Sequence, residues 1–185
     1  MTFSTTIAAL WILFYSFWLL SAIGVKKTVL ATPWWKGLGI RVLLALAVVV
    51  GTRVPHLRHS FFRHPTGLAS NFAGMVLCTA GLSLAVWARI NLGRNWGTPM
   101  SLKQGHELVT TGPYCFVRHP IYTGILVAVV GTAFVAGMFW LLIFLIICPF
   151  FVYSARTEER FMMQTFPDAY PEYKKRTSAL VPFLW

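Results

Sequence analysis

An all-α integral membrane protein of about five transmembrane helices is what this sequence predicts, and three observations carry that prediction. Of 185 residues, 57% are hydrophobic and only 11% charged, too few charges to clothe a soluble domain of this size. Long apolar runs recur at lengths suited to a hydrocarbon core about 30 Å thick. The basic residues gather mostly between those runs.

Residues 7 to 25, IAALWILFYSFWLLSAIGV, carry no charge over nineteen positions and form the first expected crossing. A cleaved signal peptide places its basic residues before the apolar run. Here Lys26 and Lys27 follow it, so the segment is expected to stay in the mature chain. A second run covers about 38 to 52, with Arg41 near its start, and a third about 68 to 90. Residues 121 to 153 are nearly unbroken apolar sequence with Gly131 and Gly137 near the middle. That is too long for one crossing and suits a tight two-helix hairpin turning near Ala136 and Gly137. The tail RFMMQTFPDAYPEYKKR, residues 160 to 176, reads as an amphipathic helix broken at Pro167, then a short turn carrying Tyr170 and Tyr173. It is either a membrane-surface helix or a cytoplasmic lid folded back over residues 105 to 122. One membrane domain, 1 to 185, results: three helices over 1 to 90, and a half bearing the chemistry over 91 to 185.

Charge sets the expected orientation, because short loops rich in Lys and Arg stay in the cytoplasm. The loop between the second and third runs holds Arg53, Arg58 and Arg63. The opposite set holds Lys26, Lys27, Lys36, Arg94, Lys103, Arg118, Arg156, Arg160, Lys174, Lys175 and Arg176. The N-terminus is therefore expected outside, with the 91 to 118 segment and the C-terminus in the cytoplasm. A net charge of +11 invites a nucleic-acid reading. These bases are spread over membrane-flanking loops instead of one stripe, so lipid head groups are the expected partners and nucleic acid is not.

Residues 112 to 124, GPYCFVRHPIYTG, place Arg118, His119, Tyr114 and Tyr122 where polar sequence re-enters apolar sequence. Ionisable groups at the mouth of a membrane helix bind something or anchor the helix end, and this cluster is richer than an anchor needs. Upstream runs GHELVTTGPY, residues 105 to 114, and the polar tail opens with Arg156-Thr157-Glu158-Glu159. Three of the five acids, Glu107, Glu158 and Glu159, thus flank the expected cytoplasmic mouths. Arg63-His64-Pro65 repeats the tripeptide but lacks these flanks. Cys78, Cys115 and Cys148 form no CxxC pair. His56, His59 and His64 have no carboxylate beside them, so no metal site is expected.

The order GHxLVTTGPYxxVRHPxYTG, apolar hairpin, RxEE, FxxxYxxYKKR and a final Pro resembles the isoprenylcysteine carboxyl methyltransferase family, within the wider group that includes phospholipid methyltransferases. The resemblance covers about residues 90 to 183. It implies an integral membrane enzyme using S-adenosylmethionine. In that family the cofactor is wrapped by the positions matching His106, Glu107, Leu108, Val109, Tyr114, His119, Pro120, Ile121 and Tyr122, and by an acid of the Glu158-Glu159 pair. Arg156 best matches a basic residue associated with the substrate carboxylate. Two departures stand out: the family's Phe-Gly is Phe166-Pro167 here, and the N-terminal half is short, so acceptor identity does not carry over.

The residue types suit the implied cofactor, whose sulfonium and ammonium ask for aromatic faces and an acid, and whose carboxylate asks for a donor. Tyr114, Tyr122, a glutamate and His119 are such groups. No GxGxxG follows a strand, which excludes a soluble dinucleotide-type site. A carboxylate acceptor is already ionised and needs no base. Arg156 would grip it through a planar fork. A phospholipid amine or small thiol acceptor would need a base, with His119 or a glutamate as candidates. A lipophilic acceptor is expected to enter between helices, and the cofactor from the cytoplasm. Two rivals remain: an NADPH-dependent enzyme resembling membrane sterol reductases, and a non-enzymatic scaffold.

Overall fold

The computed structural model describes residues 2–31, 33, 38–53 and 67–182. Among them six α-helices follow one another: α1 Phe3–Ser21, α2 Leu38–Arg53, α3 Leu68–Leu92, α4 Pro120–Ala136, α5 Phe139–Thr165 and α6 Ala169–Arg176. Three are long and apolar enough to cross a membrane: α1, α5, and α3 with the 3-10 turn that extends it to Asn95. α2 and α4 are apolar but shorter. The arrangement is the helical membrane fold expected. The first copy of Arg-His-Pro, with His56, His59, His64, Arg58 and Arg63, lies outside the described residues, as does Lys36.

α1 begins four residues before the uncharged run, because the Thr2 hydroxyl accepts from the Thr5 N–H at 3.3 Å and caps it. α3 and α4 form the tightest pair of the bundle. A Cβ on Gly81 would stand 2.5 Å from the Gly124 carbonyl, and one on Gly74 2.6 Å from that of Gly131. Glycines spaced by seven on each helix therefore let the backbones touch, as small residues do where lipid supplies no hydrophobic drive. A buried polar link ties a third helix to the pair: Trp11 Nε1 donates to Thr132 Oγ1 at 3.0 Å, and Thr132 donates to the Ala128 carbonyl at 2.7 Å.

The hairpin turns where the glycine predicts. α4 ends at Ala136, Gly137 takes φ 103, and α5 starts at Phe139. Downstream, two expectations fail. Residues 160 to 165 are not a separate tail helix but the end of α5, since nothing breaks the helix before Phe166, which Pro167 pushes out of the α region. Tyr170 and Tyr173 lie on α6 and not in a turn. A two-stranded antiparallel sheet was not foreseen: β1 (Thr28–Ala31) pairs with β2 (Ser101–Lys103), tying the chain after α1 to the chain after α3.

Candidate active site

The motif segment is held from behind by the tail. Gly112 adopts φ 60 against the Asn91 side chain, where a Cβ would sit 2.5 Å from Oδ1, and starts the 3-10 turn Gly112–Cys115. Beyond it the Arg118 and His119 amides donate to the Ser178 and Ala179 carbonyls at 2.8 and 3.1 Å. Tyr173 donates its hydroxyl to the Tyr114 carbonyl at 2.7 Å. Pro120 then opens α4 at a position whose N–H no helix would use.

The two adjacent glutamates have separate surroundings. Glu159 is buried and paired twice: Arg118 Nε donates to Oε1 at 2.7 Å and Lys174 Nζ to Oε2 at 2.6 Å. Arg118, buried itself, also donates to the Lys174 and Thr177 carbonyls. Glu158 faces a cavity of about 280 Å³. Its Oε1 accepts from the Tyr122 hydroxyl at 2.5 Å and from the Met100 amide at 2.8 Å, while Oε2 lies 3.4 Å from His119 Nδ1. His119 stacks on Tyr122 at 5.6 Å, and Tyr122 on Phe151 at 4.5 Å.

Lys26, just after α1, fastens the opposite rim. Its ammonium donates to Asn95 Oδ1 (2.7 Å), the Gly105 carbonyl (2.6 Å) and Glu107 Oε1 (3.0 Å). Gly105 takes φ 57 in that turn, and His106 to Val109 follow it along the cavity.

Protonation follows from these contacts. Burial alone would push His119 down, but the Glu158 and Glu159 carboxylates facing its two ring nitrogens outweigh it and the imidazole titrates above its ordinary value. Burial, reinforced by the Lys26 charge, pushes His106 down and keeps it neutral. The hydrogen bond from Lys26 holds Glu107 below the usual carboxylate range. Burial raises the Tyr114 phenol and pushes Tyr173 up to about 12.

Nine of the residues that the resemblance assigns to the cofactor line the cavity, His106, Glu107, Leu108, Val109, Tyr114, His119, Ile121, Tyr122 and Glu158, and Arg118, Tyr170 and Tyr173 line it as well. Pro120 is fully buried and shapes the start of α4 instead of lining it. Glu159 stands behind the wall, committed to Arg118 and Lys174. Arg156 is exposed and does not line the cavity; two residues before Glu158, it leaves α5 about 200° around the helix from it. Several lining residues lay outside the motif reading. Asn95 comes from the link after α3, where Met100, buried behind the lining at φ 60, turns its amide to Glu158. Trp11, Phe14, Tyr15 and Trp18 come from α1, where the spacing i, i+3, i+4, i+7 was the available signal.

Among the described residues, then, a helical membrane bundle lines a cavity that is acidic and imidazole-bearing at the loop end and aromatic toward the bundle. The chain's relatives give that bundle a family. Residues 69–169 match the phospholipid methyltransferase family, and the chain belongs to it. The protein-S-isoprenylcysteine O-methyltransferase of Schizosaccharomyces pombe is 33% identical over 101 residues, covering 52% of this chain and 43% of that protein. The cobalt-zinc-cadmium resistance protein CzcN of Cupriavidus metallidurans is 34% identical over 113 residues, 60% of this chain and 50% of that one. The solved structure of the eukaryotic intramembrane Ras methyltransferase, an isoprenylcysteine carboxyl methyltransferase, shares the fold with a TM-score of 0.57. It matches 84% of this chain and 55% of its own at 23% identity. The chain spans about half the length of the curated relatives it matches.

Proposed function

We propose that this chain is an integral membrane methyltransferase that takes S-adenosylmethionine at the loop end of the cavity and acts on a lipophilic carboxylate of the isoprenylcysteine kind. The observation that carries the reading is the division of labour between the adjacent glutamates: Glu159 is committed to Arg118 and Lys174, and of the two it is Glu158 that turns its carboxylate into a cavity with an aromatic wall. The residues present suit the cofactor. Glu158 is an acid for its ammonium, and Tyr114 and Tyr122 offer ring faces and hydroxyls. The buried His106 Nδ1 has no hydrogen-bond partner, an opening for a polar group of a ligand. When bound, the cofactor supplies an electrophilic methyl group.

The protein's own part is to hold, orient and dry the site. Tyr122, locked between His119 and Phe151, fixes the Glu158 carboxylate. Val109, Ile121 and Ile125 exclude water around it. His119, whose Nδ1 lies 3.4 Å from Glu158, titrates above its ordinary value, and an amine or thiol acceptor would need a neutral base. A carboxylate needs none. The name of the fission-yeast relative points to the same acceptor class.

Calorimetry of the detergent-solubilised protein with S-adenosylmethionine and, separately, NADPH tests the cofactor. A labelled methyl-transfer screen of prenylated thiols bearing a carboxylate, fatty acids, amines and phospholipids tests the acceptor. Binding of NADPH alone, or of neither compound, sinks the reading. The proposal includes a cytoplasmic site. Cysteines placed at Lys103 and Lys174 should then both label from the cytoplasmic side, and labelling from opposite faces overturns it.

A further inference from the structure

The helices that line the cavity set its depth. On α1 its wall runs from Trp18 to Trp11, seven residues or about 10 Å of helix, and on α5 from Met162 to Phe151. Both stretches run from the polar mouth toward the interior of the bundle. Trp18 meets Trp96 edge-to-face at 5.6 Å at the mouth end, with the Arg89 guanidinium over Trp96 at 4.8 Å.

At the inner end Trp11 is fixed on every side. Its indole N–H is held by Thr132, a residue 1% exposed, and its ring stacks on Trp140 at 6.1 Å and 13° and meets Phe14 edge-on at 5.7 Å. Trp11 belongs to a packed core cluster with Ile7, Cys78, Leu82 and Val129. An indole anchored by a hydrogen bond and two ring contacts is a rigid stop, not a side chain that swings aside.

We propose that Trp11 is the specificity-determining residue for acceptor chain length: the acceptor's apolar chain lies along the α1 aromatic face, and the indole ends it about 10 Å from the polar mouth. This rests on the reading of the cavity as a lipophilic-acceptor site. It assigns a role to a helix that lies outside the family-matched residues 69–169.

The test is binding of a homologous series of S-alkyl thioacetic acids of increasing chain length, measured by calorimetry on the full chain in detergent, with methyl transfer from labelled donor followed separately. Affinity should climb by up to about fourfold per added methylene and then break once the chain fills the space to Trp11. In Trp11→Ala the break should move to longer chains. Trp11→Leu, which keeps an apolar residue in the core, should move it less. Absence of any break in the wild type, or a break at the same length in both variants, overturns the ruler. A break that moves without any methyl transfer upholds the ruler and sinks the methyltransferase reading instead.

Discussion

Glu158 and Glu159 are neighbours in sequence with opposite environments, and exchanging each for glutamine separates binding from folding. Glu158 spends its carboxylate on Tyr122, the Met100 amide and the cavity. Glu158→Gln keeps an acceptor for at least one of those donors but removes the charge a cofactor ammonium would meet. A charge-assisted hydrogen bond is worth about 1.5 to 3 kcal/mol, so donor affinity should fall about tenfold to a hundredfold. Glu159→Gln instead leaves the buried Arg118 without its anionic partner, and breaking such a pair costs about 3 to 5 kcal/mol of stability. Melting temperature should drop sharply there, while the folded fraction binds donor nearly as well. Calorimetry for affinity and thermal melting in detergent for stability read the two effects independently. Unchanged affinity in Glu158→Gln, or lost affinity with full stability in Glu159→Gln, would refute the assignment of the cofactor acid.

Gly81→Ala must part α3 from the Gly124 carbonyl and should cost about 1 to 3 kcal/mol in a detergent melt, whereas Gly39→Ala, with nothing within 4 Å of its Cβ, should be neutral or slightly stabilising. Arg156→Ala should leave donor affinity unchanged and turnover within about tenfold if the acceptor carboxylate sits in the cavity; a loss of about a hundredfold that Arg156→Lys does not restore would place the acceptor on the exposed face of α5. His119 titrates above its ordinary value in the folded protein, so its stabilisation is fully present below about pH 6.5 and is lost as pH rises through the raised value. Melting temperature should therefore fall over that rise, and His119→Gln should flatten the slope; an equal slope in the variant counts against the His119 to Glu158 contact.

What could be read from the sequence and what could not divide along one physical line. Helix spans were legible because lipid demands length and apolarity, and the hairpin because Gly137 offers the backbone freedom a tight turn takes. The segments of the site were legible because His106 to Tyr122 and the glutamate pair are polar where their surroundings are not. The choice between Glu158 and Glu159 was not, since adjacent helical residues point about 100° apart and only the packed neighbours decide which one meets cations. The β1 to β2 pairing was hidden because every residue of β1 is exposed, so no alternation marks it. The α1 wall is the instructive case. In a soluble helix the buried face announces itself by polar residues opposite, but a helix apolar all round carries almost no such contrast. Aromatic period is the signal left: Trp11, Phe14, Tyr15 and Trp18 share one face, and the described structure turns that face to the cavity. In a lipid-embedded chain, then, the residues that choose an apolar ligand are to be sought by ring spacing on uncharged helices, while the residues that hold its polar partner are found by charge at the helix mouths.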